Sequence, residues 1–359
     1  MTAPTKPSSP DGAGLPEGSS AGVTAGTTAG LERPRATPSA TGSVPDFFIV
    51  GHQKCGTTAL YLMLSEHPQI FMPREVKEPW FFGRELRPRS PQGGTHSRPS
   101  TLGQYVSLFA DAAPGQLVGE ASPQTIRSRL AAGEIAALRP EARIVAILRE
   151  PASFLRSLHM QLLATHIESE KDFARAIALE PKRREGKRIP RRSVSPPSLL
   201  YSDHVRYTEQ LRRLHDAFGR EQVLVLIYDD FRKDNLATVR QVLSFLGADP
   251  SVPLEQVETK PLKGVRSSTL HRLRRQIRRV GLNQAAEGRV ARALDAVAPK
   301  PLRSDSLSAA FRRITYGPQR PADEQLMLEL RRRFKDEVQA AGDYLGRDLV
   351  TLWGYDRIS

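Results

Sequence analysis

The sequence predicts an α/β fold: a central parallel sheet flanked by helices in three layers, followed by a helical C-terminal section. Two observations carry this. The apolar runs Phe47–Val50, Arg143–Leu148 and Val223–Ile227 are too short for helices and have the content of strands buried on both faces. Between them lie stretches of helical period, so strands and helices alternate at the rhythm of parallel βαβ units.

Taken in order, residues 1–44 are rich in Pro, Gly, Ser, Thr and Ala, with Leu15, Val23, Leu31 and Val44 as their only large aliphatics. Such a segment cannot bury enough surface to offset ordering entropy and is expected to be a disordered tail. The chain has 53 Lys and Arg against 39 Asp and Glu, a formal net charge of +14. Lys6, Arg33 and Arg35 balance Asp11, Glu17 and Glu32 in the tail, so the excess belongs to residues 45–359. That field favours polyanionic ligands, whether nucleic acid, an acidic membrane surface or a phosphorylated nucleotide with an acidic acceptor.

The first strand is bounded by Pro45 and Gly51, and from Thr57 the positions Leu60, Leu62, Met63 and Leu64 suit a helix packed back onto it. Strand, tight loop Gly51–Gly56 and helix make a P-loop-type unit, aiming free backbone N–H groups and the positive helix end at one point. That point suits phosphate or sulfate. Further on, residues 84–100 are expected to be a mobile loop, 102–109 a short helix, 117–119 a strand and 131–138 a helix. Pro151 suits the first turn of a helix through Phe154, Leu155, Leu158, Leu162 and Leu163.

Residues 182–192 form a basic loop, either solvated or touching an acidic acceptor. An amphipathic helix is expected over 201–218 and a helix over 236–246, stopped by Gly247. Residues 260–313 are basic and expected to be helical and short of strands. In the last helix Leu326, Leu330, Phe334 and Val338 recur at steps of four, making one buried stripe. The single cysteine excludes an intrachain disulfide, and no secretory pattern or run of ~20 apolar residues is present, so a cytoplasmic protein is the default expectation.

The loop's spacing narrows its chemistry. Lys54 precedes the last glycine in G-x-x-K-x-G-T-T, whereas the common nucleoside-triphosphate loop places its lysine directly after that glycine. This resembles the 5′-phosphosulfate loop of sulfotransferases that use 3′-phosphoadenosine 5′-phosphosulfate (PAPS). Arg149, Pro151 and Ser157 form R-x-P-x(5)-S at the end of the main strand, where ligands of open parallel sheets sit, and resemble the family's 3′-phosphate motif. Glu78 in Glu78-Pro79-Trp80-Phe81-Phe82 resembles the glutamate preceding an aromatic pair in heparan-type and bacterial members. The resemblance spans 46–165, and more weakly 201–247 and 323–353.

It implies PAPS as co-substrate, no required metal, and sulfuryl transfer to a hydroxyl or amine of a carbohydrate, glycolipid or small metabolite. Lys54, with Cys55, Gly56, Thr57 and Thr58, would hold the phosphosulfate, and Arg149 and Ser157 the 3′-phosphate. Arg266 would lie in a later loop covering that phosphate. Glu78 is the candidate base. His159, two positions after Ser157, and His52, inside the loop, compete for that role against a plain packing or solvent position, while His67 suits the end of the first helix. Cys55 beside Lys54 and a helix start would be a reactive thiolate if exposed and an inert space-filler if buried. Where glycan-acting members carry a lysine two residues before the proline, this chain has Ala121, so neither that lysine nor that branch's substrate follows. A P-loop kinase would want an acidic metal ligand where Arg149 stands, and a nucleic-acid module lacks zinc-ligand spacing or an aromatic-basic pattern here. No specific nucleic-acid partner is expected.

Overall fold

A computed structural model describes residues 44–74, 76–87, 98–191, 193–255, 264–265, 316–317 and 323–358. All belong to one compact unit, Pro38–Ser359. Residues 1–43 of the predicted tail, 88–97 of the loop expected over 84–100, the 260–313 section apart from one strand, and Arg266 lie outside the described residues.

Five strands form one parallel sheet: β1 (Phe47–Ile49), β2 (Ile70–Phe71), β3 (Leu117–Glu120), β4 (Arg143–Leu148) and β5 (Val223–Ile227), in the order β2-β3-β1-β4-β5. β1 is central, pairing Phe47 with Gly119 on one side and with Arg143 on the other. Phe47, Phe48 and Ile49 are all buried, as are Ile144 to Leu148, which explains why both strands read as unbroken apolar runs. The ends of β1, β3 and β4 therefore gather at one edge.

Helices α1 (Thr57–Ser65), α2 (Leu102–Val106), α3 (Ala131–Leu138) and α4 (Pro151–Ala164) follow the first strands. Glu150 caps α4 by accepting the N–H groups of Ala152 and Ser153 at 3.0 and 2.7 Å. α5 (Phe173–Ala178) is followed by α6 (Glu180–Arg184), whose last turn takes residues 182–184 from the basic loop expected over 182–192. The correction has an electrostatic cause: buried Arg183 pairs with buried Glu168 at 2.7 Å, and Arg184 with Glu180 at 2.8 Å and Asp203 at 2.6 Å. Two of that segment's cations are thus neutralised internally.

The helix expected over 201–218 is two helices, α7 (Tyr201–His204) and α8 (Tyr207–Ala217). The Gln210 amide donates to the carbonyls of Asp203 and His204 at 3.1 and 3.4 Å, replacing backbone donors that a continuous helix would supply. After β5 come α9 (Tyr228–Lys233) and α10 (Asn235–Leu246), the latter closed by Gly247 at φ 76°. Gly264–Val265 pairs antiparallel with Tyr316–Gly317, a small ladder that the sequence did not announce. The last long helix, Glu324–Leu345, buries Met327, Leu330, Phe334 and Val338. Its stripe thus starts one residue later than expected, with Leu326 only half-buried.

The C-terminal segment then clasps the sheet edge. The Tyr355 hydroxyl donates to Glu150 at 2.8 Å and the Trp353 indole to Asp229 at 3.0 Å. No helix among the described residues is long and apolar enough to cross a membrane.

Candidate active site

The loop after β1 is pressed onto the sheet. A Cβ on Gly51 would stand 2.3 Å from the backbone nitrogen of Ile147, so only glycine lets the chain cross β4 there. Gly56 adopts φ 86° against Phe231, and Lys54 adopts φ 67°, a left-handed conformation uncommon outside glycine. No side chain caps α1. The N–H groups of Thr57, Thr58 and Ala59, which precede the first helical bond from Leu60 to Gly56, are left open toward any bound anion.

Three cations converge on this point. Arg149 donates to the Lys54 carbonyl at 2.9 Å while its guanidinium lies 4.5 Å from the Tyr228 ring centre. Burial, then the positive charge of Arg149, pulls the Lys54 ammonium below the usual lysine range, and Lys77 adds to the effect. Among the described residues no carboxylate pairs with Lys54 or Arg149. This donor set fits a polyanion, and the close approach that Gly51 and Gly56 permit suits a phosphate against the backbone. Ser157 is half-buried on α4, two turns beyond Arg149, and Thr58 is exposed while Thr57 is buried.

Glu78 stands on a separate segment, linked to the start of α1 through Lys77. One carboxylate oxygen accepts from the Gln124 amide at 2.9 Å, the other from Lys77 Nζ at 3.3 Å, and Lys77 also reaches the Thr58 hydroxyl at 3.2 Å. Trp80, close by, holds φ 57°, a strained conformation for a bulky side chain. Its N–H donates to Ser122 Oγ at 3.3 Å, and its ring carries the Arg98 guanidinium at 5.2 Å. Glu120, at the end of β3, is buried and accepts from Tyr105 at 2.7 Å; burial raises its carboxyl to about 7. Ala121 is buried and offers no charge.

Lys77, Gln124 and Glu120 were missed in the sequence. Lys77 adjoins Glu78 and Gln124 follows Ser122-Pro123, but nothing in their spacing signals a meeting 46 residues apart between Gln124 and Glu78.

Two expected site residues need correction. His159 is sealed in the core, its Nδ1 2.8 Å from the Tyr201 hydroxyl and its Nε2 3.4 Å from the Lys171 carbonyl. With both nitrogens engaged and burial holding its pKa below the ordinary value, it has no free site for a proton from an acceptor. Cys55 is fully buried, its thiol is turned to the Gln53 carbonyl at 3.6 Å, and burial pushes it up to about 12. Its side chain is the space-filler, not an anion contact. His52 packs between Phe154 and Tyr207 and bonds Gln210 at 2.8 Å, while His67 closes α1 against the Asp249 carbonyl at 2.9 Å.

A family model described as "Sulfotransferase domain" matches residues 44–284, covering loop, Glu78 and Arg149 together. The chain belongs to the sulfotransferase family. Its phosphotransferase and nucleic-acid readings lose their footing with that match. Relatives include human bifunctional heparan sulfate N-deacetylase/N-sulfotransferase 3, 26% identical over 220 residues, 58% of this chain and 23% of that protein. Mouse carbohydrate sulfotransferase 15 is 26% identical over 251 residues, 58% of this chain and 44% of that protein. The chain thus spans less than half the length of these curated relatives. A sulfotransferase from Alicyclobacillus acidocaldarius shares the fold at a TM-score of 0.59 and 24% identity, covering 87% of this chain and 99% of that one.

Proposed function

We propose that this sulfotransferase moves the sulfuryl group of PAPS to a hydroxyl or amine of an acceptor. The observation that carries the reading is the uncapped start of α1 beside Lys54 and Arg149, cations that no carboxylate pairs among the described residues. The open N–H groups and Lys54 would hold the phosphosulfate, with Arg149 and Ser157 on the 3′-phosphate. Sulfuryl transfer, like phosphoryl transfer, passes through a loose in-line transition state in which positioning and charge stabilisation do most of the catalysis. Lys54 neutralises charge developing on the leaving phosphate oxygen. Glu78, presented by Gln124 and half-exposed, accepts the acceptor's proton. The names of the relatives, heparan sulfate and carbohydrate sulfotransferases, favour a carbohydrate among the acceptors.

Incubation with radiolabelled PAPS and an acceptor panel of glycans, glycolipids and hydroxylated metabolites tests this. Label transferred to one of them, and transferred about 10²–10³-fold more slowly by Lys54→Ala, is expected. Absence of nucleotide binding by calorimetry would overturn the reading.

A further inference from the structure

Lys77 is unexplained by the roles above. Its ammonium is 3.2 Å from the hydroxyl of Thr58, the second residue of α1, and 3.3 Å from Glu78. It therefore touches the anion site and the candidate base at once. Its position is held from below, Nζ lying 5.9 Å from the ring centre of Tyr61, whose hydroxyl is fixed to the Pro73 carbonyl. In an in-line transfer the sulfur travels from an oxygen at the loop to an acceptor atom at the base. Lys77 spans that interval.

On the basis of the sulfotransferase reading above, we propose that Lys77 is a further catalytic residue, the cation that takes the oxygens of the moving sulfuryl group. In the free protein its charge is shared with Glu78 and Thr58. With a sulfuryl group at the start of α1, the ammonium gains a negatively charged partner within reach of its present position and turns from Glu78 toward it. Glu78 does not lose its place, because Gln124 still holds the other carboxylate oxygen. The base is thus released only when the donor is present. Glu78 then takes the acceptor's proton while the acceptor atom bonds to sulfur. The bond from sulfur to the phosphate oxygen breaks, and its electron pair stays on that oxygen beside Lys54. Ala121, at the neighbouring strand end, has no charge with which to share the task.

A plain half-exposed ion pair would make a different prediction. The nucleotide product 3′-phosphoadenosine 5′-phosphate (PAP) lacks the sulfuryl group, so a residue that serves only that group distinguishes PAPS from PAP. Calorimetric titration of both nucleotides into wild type, Lys77→Met and Lys77→Arg is the test. Lys77→Met is expected to bind PAPS about tenfold or more weakly while its PAP affinity falls much less, and retained PAP binding certifies its fold. Lys77→Arg, which keeps the charge, is expected to regain most of the PAPS affinity. Equal losses for both nucleotides, or no loss for either, would overturn the role of Lys77 and leave the sulfotransferase reading intact. If wild type bound neither nucleotide, that reading would fall, and the inference with it.

Discussion

The donor and acceptor sides of the proposed site are built in opposite ways. The donor side is backbone: Gly51 against the Ile147 nitrogen, Gly56 against Phe231, and Cys55 buried behind the loop, all seated on the central strand. The acceptor side is side chains from separate segments, with Glu78 held between Lys77 and Gln124, and strained Trp80 tied to Ser122. A backbone site keeps its shape when a side chain is removed. A side-chain site does not, so single substitutions should separate the two.

The largest effect is expected on the acceptor side. Glu78→Gln keeps the shape and loses the proton acceptor, so transfer should fall about 10²–10⁴-fold while PAPS affinity survives. Steady-state rates beside calorimetry would show it; near-full activity would move the base to the acceptor itself. On the donor side, Lys54→Ala should lower turnover about 10²–10³-fold yet still bind nucleotide through the helix N–H groups. Arg149→Ala should mainly weaken binding, by about 1.5–3 kcal/mol, as expected of a hydrogen-bonded charge. If both variants bound PAPS and turned over like wild type, the donor site would be misplaced.

A third measurement concerns Glu120, behind the acceptor side. Its carboxyl is raised from 4.5 to about 7, so the folded state favours the protonated form. The stability this contributes is present below pH 4.5 and is lost as pH rises through 7, by about 1.4 kcal/mol per pH unit within that window. Glu120→Gln mimics the neutral acid, so urea midpoints should match wild type at low pH and exceed it at pH 8. A variant less stable than wild type at pH 8 would show that the ionised carboxylate is what Tyr105 and its neighbours hold.

The smallest expected signal is on the donor side. Because Cys55 is buried with its thiol raised to about 12, iodoacetamide should leave it unlabelled at pH 8 with or without PAP, and label it fully after denaturation. Rapid labelling of the native protein, blocked by PAP, would mean that the loop opens to solvent and is less firmly seated than the glycine contacts imply.

The donor side was legible in the sequence because its determinants are local. Phe47 to Thr58 carries strand, turn and helix start within one stretch, and Arg149 follows directly on a strand whose bounds, Arg143–Leu148, the sequence marked to the residue. α3 and β5 were equally plain, since an apolar period or run leaves one solution. The break between α7 and α8 was hidden, because it depends on Gln210, in the first turn of α8, returning to two carbonyls.

Composition and spacing thus determined the α/β layout, the anion loop and its lysine. Only the tertiary structure decided that His159 and Cys55 are buried, that Arg183 belongs to an internal pair, and that Lys77 and Gln124 flank Glu78. The physical reason is range. Backbone geometry and helix dipoles are set by neighbours in sequence, whereas burial and the sharing of a carboxylate depend on which distant side chains the packed sheet brings within about 3 Å.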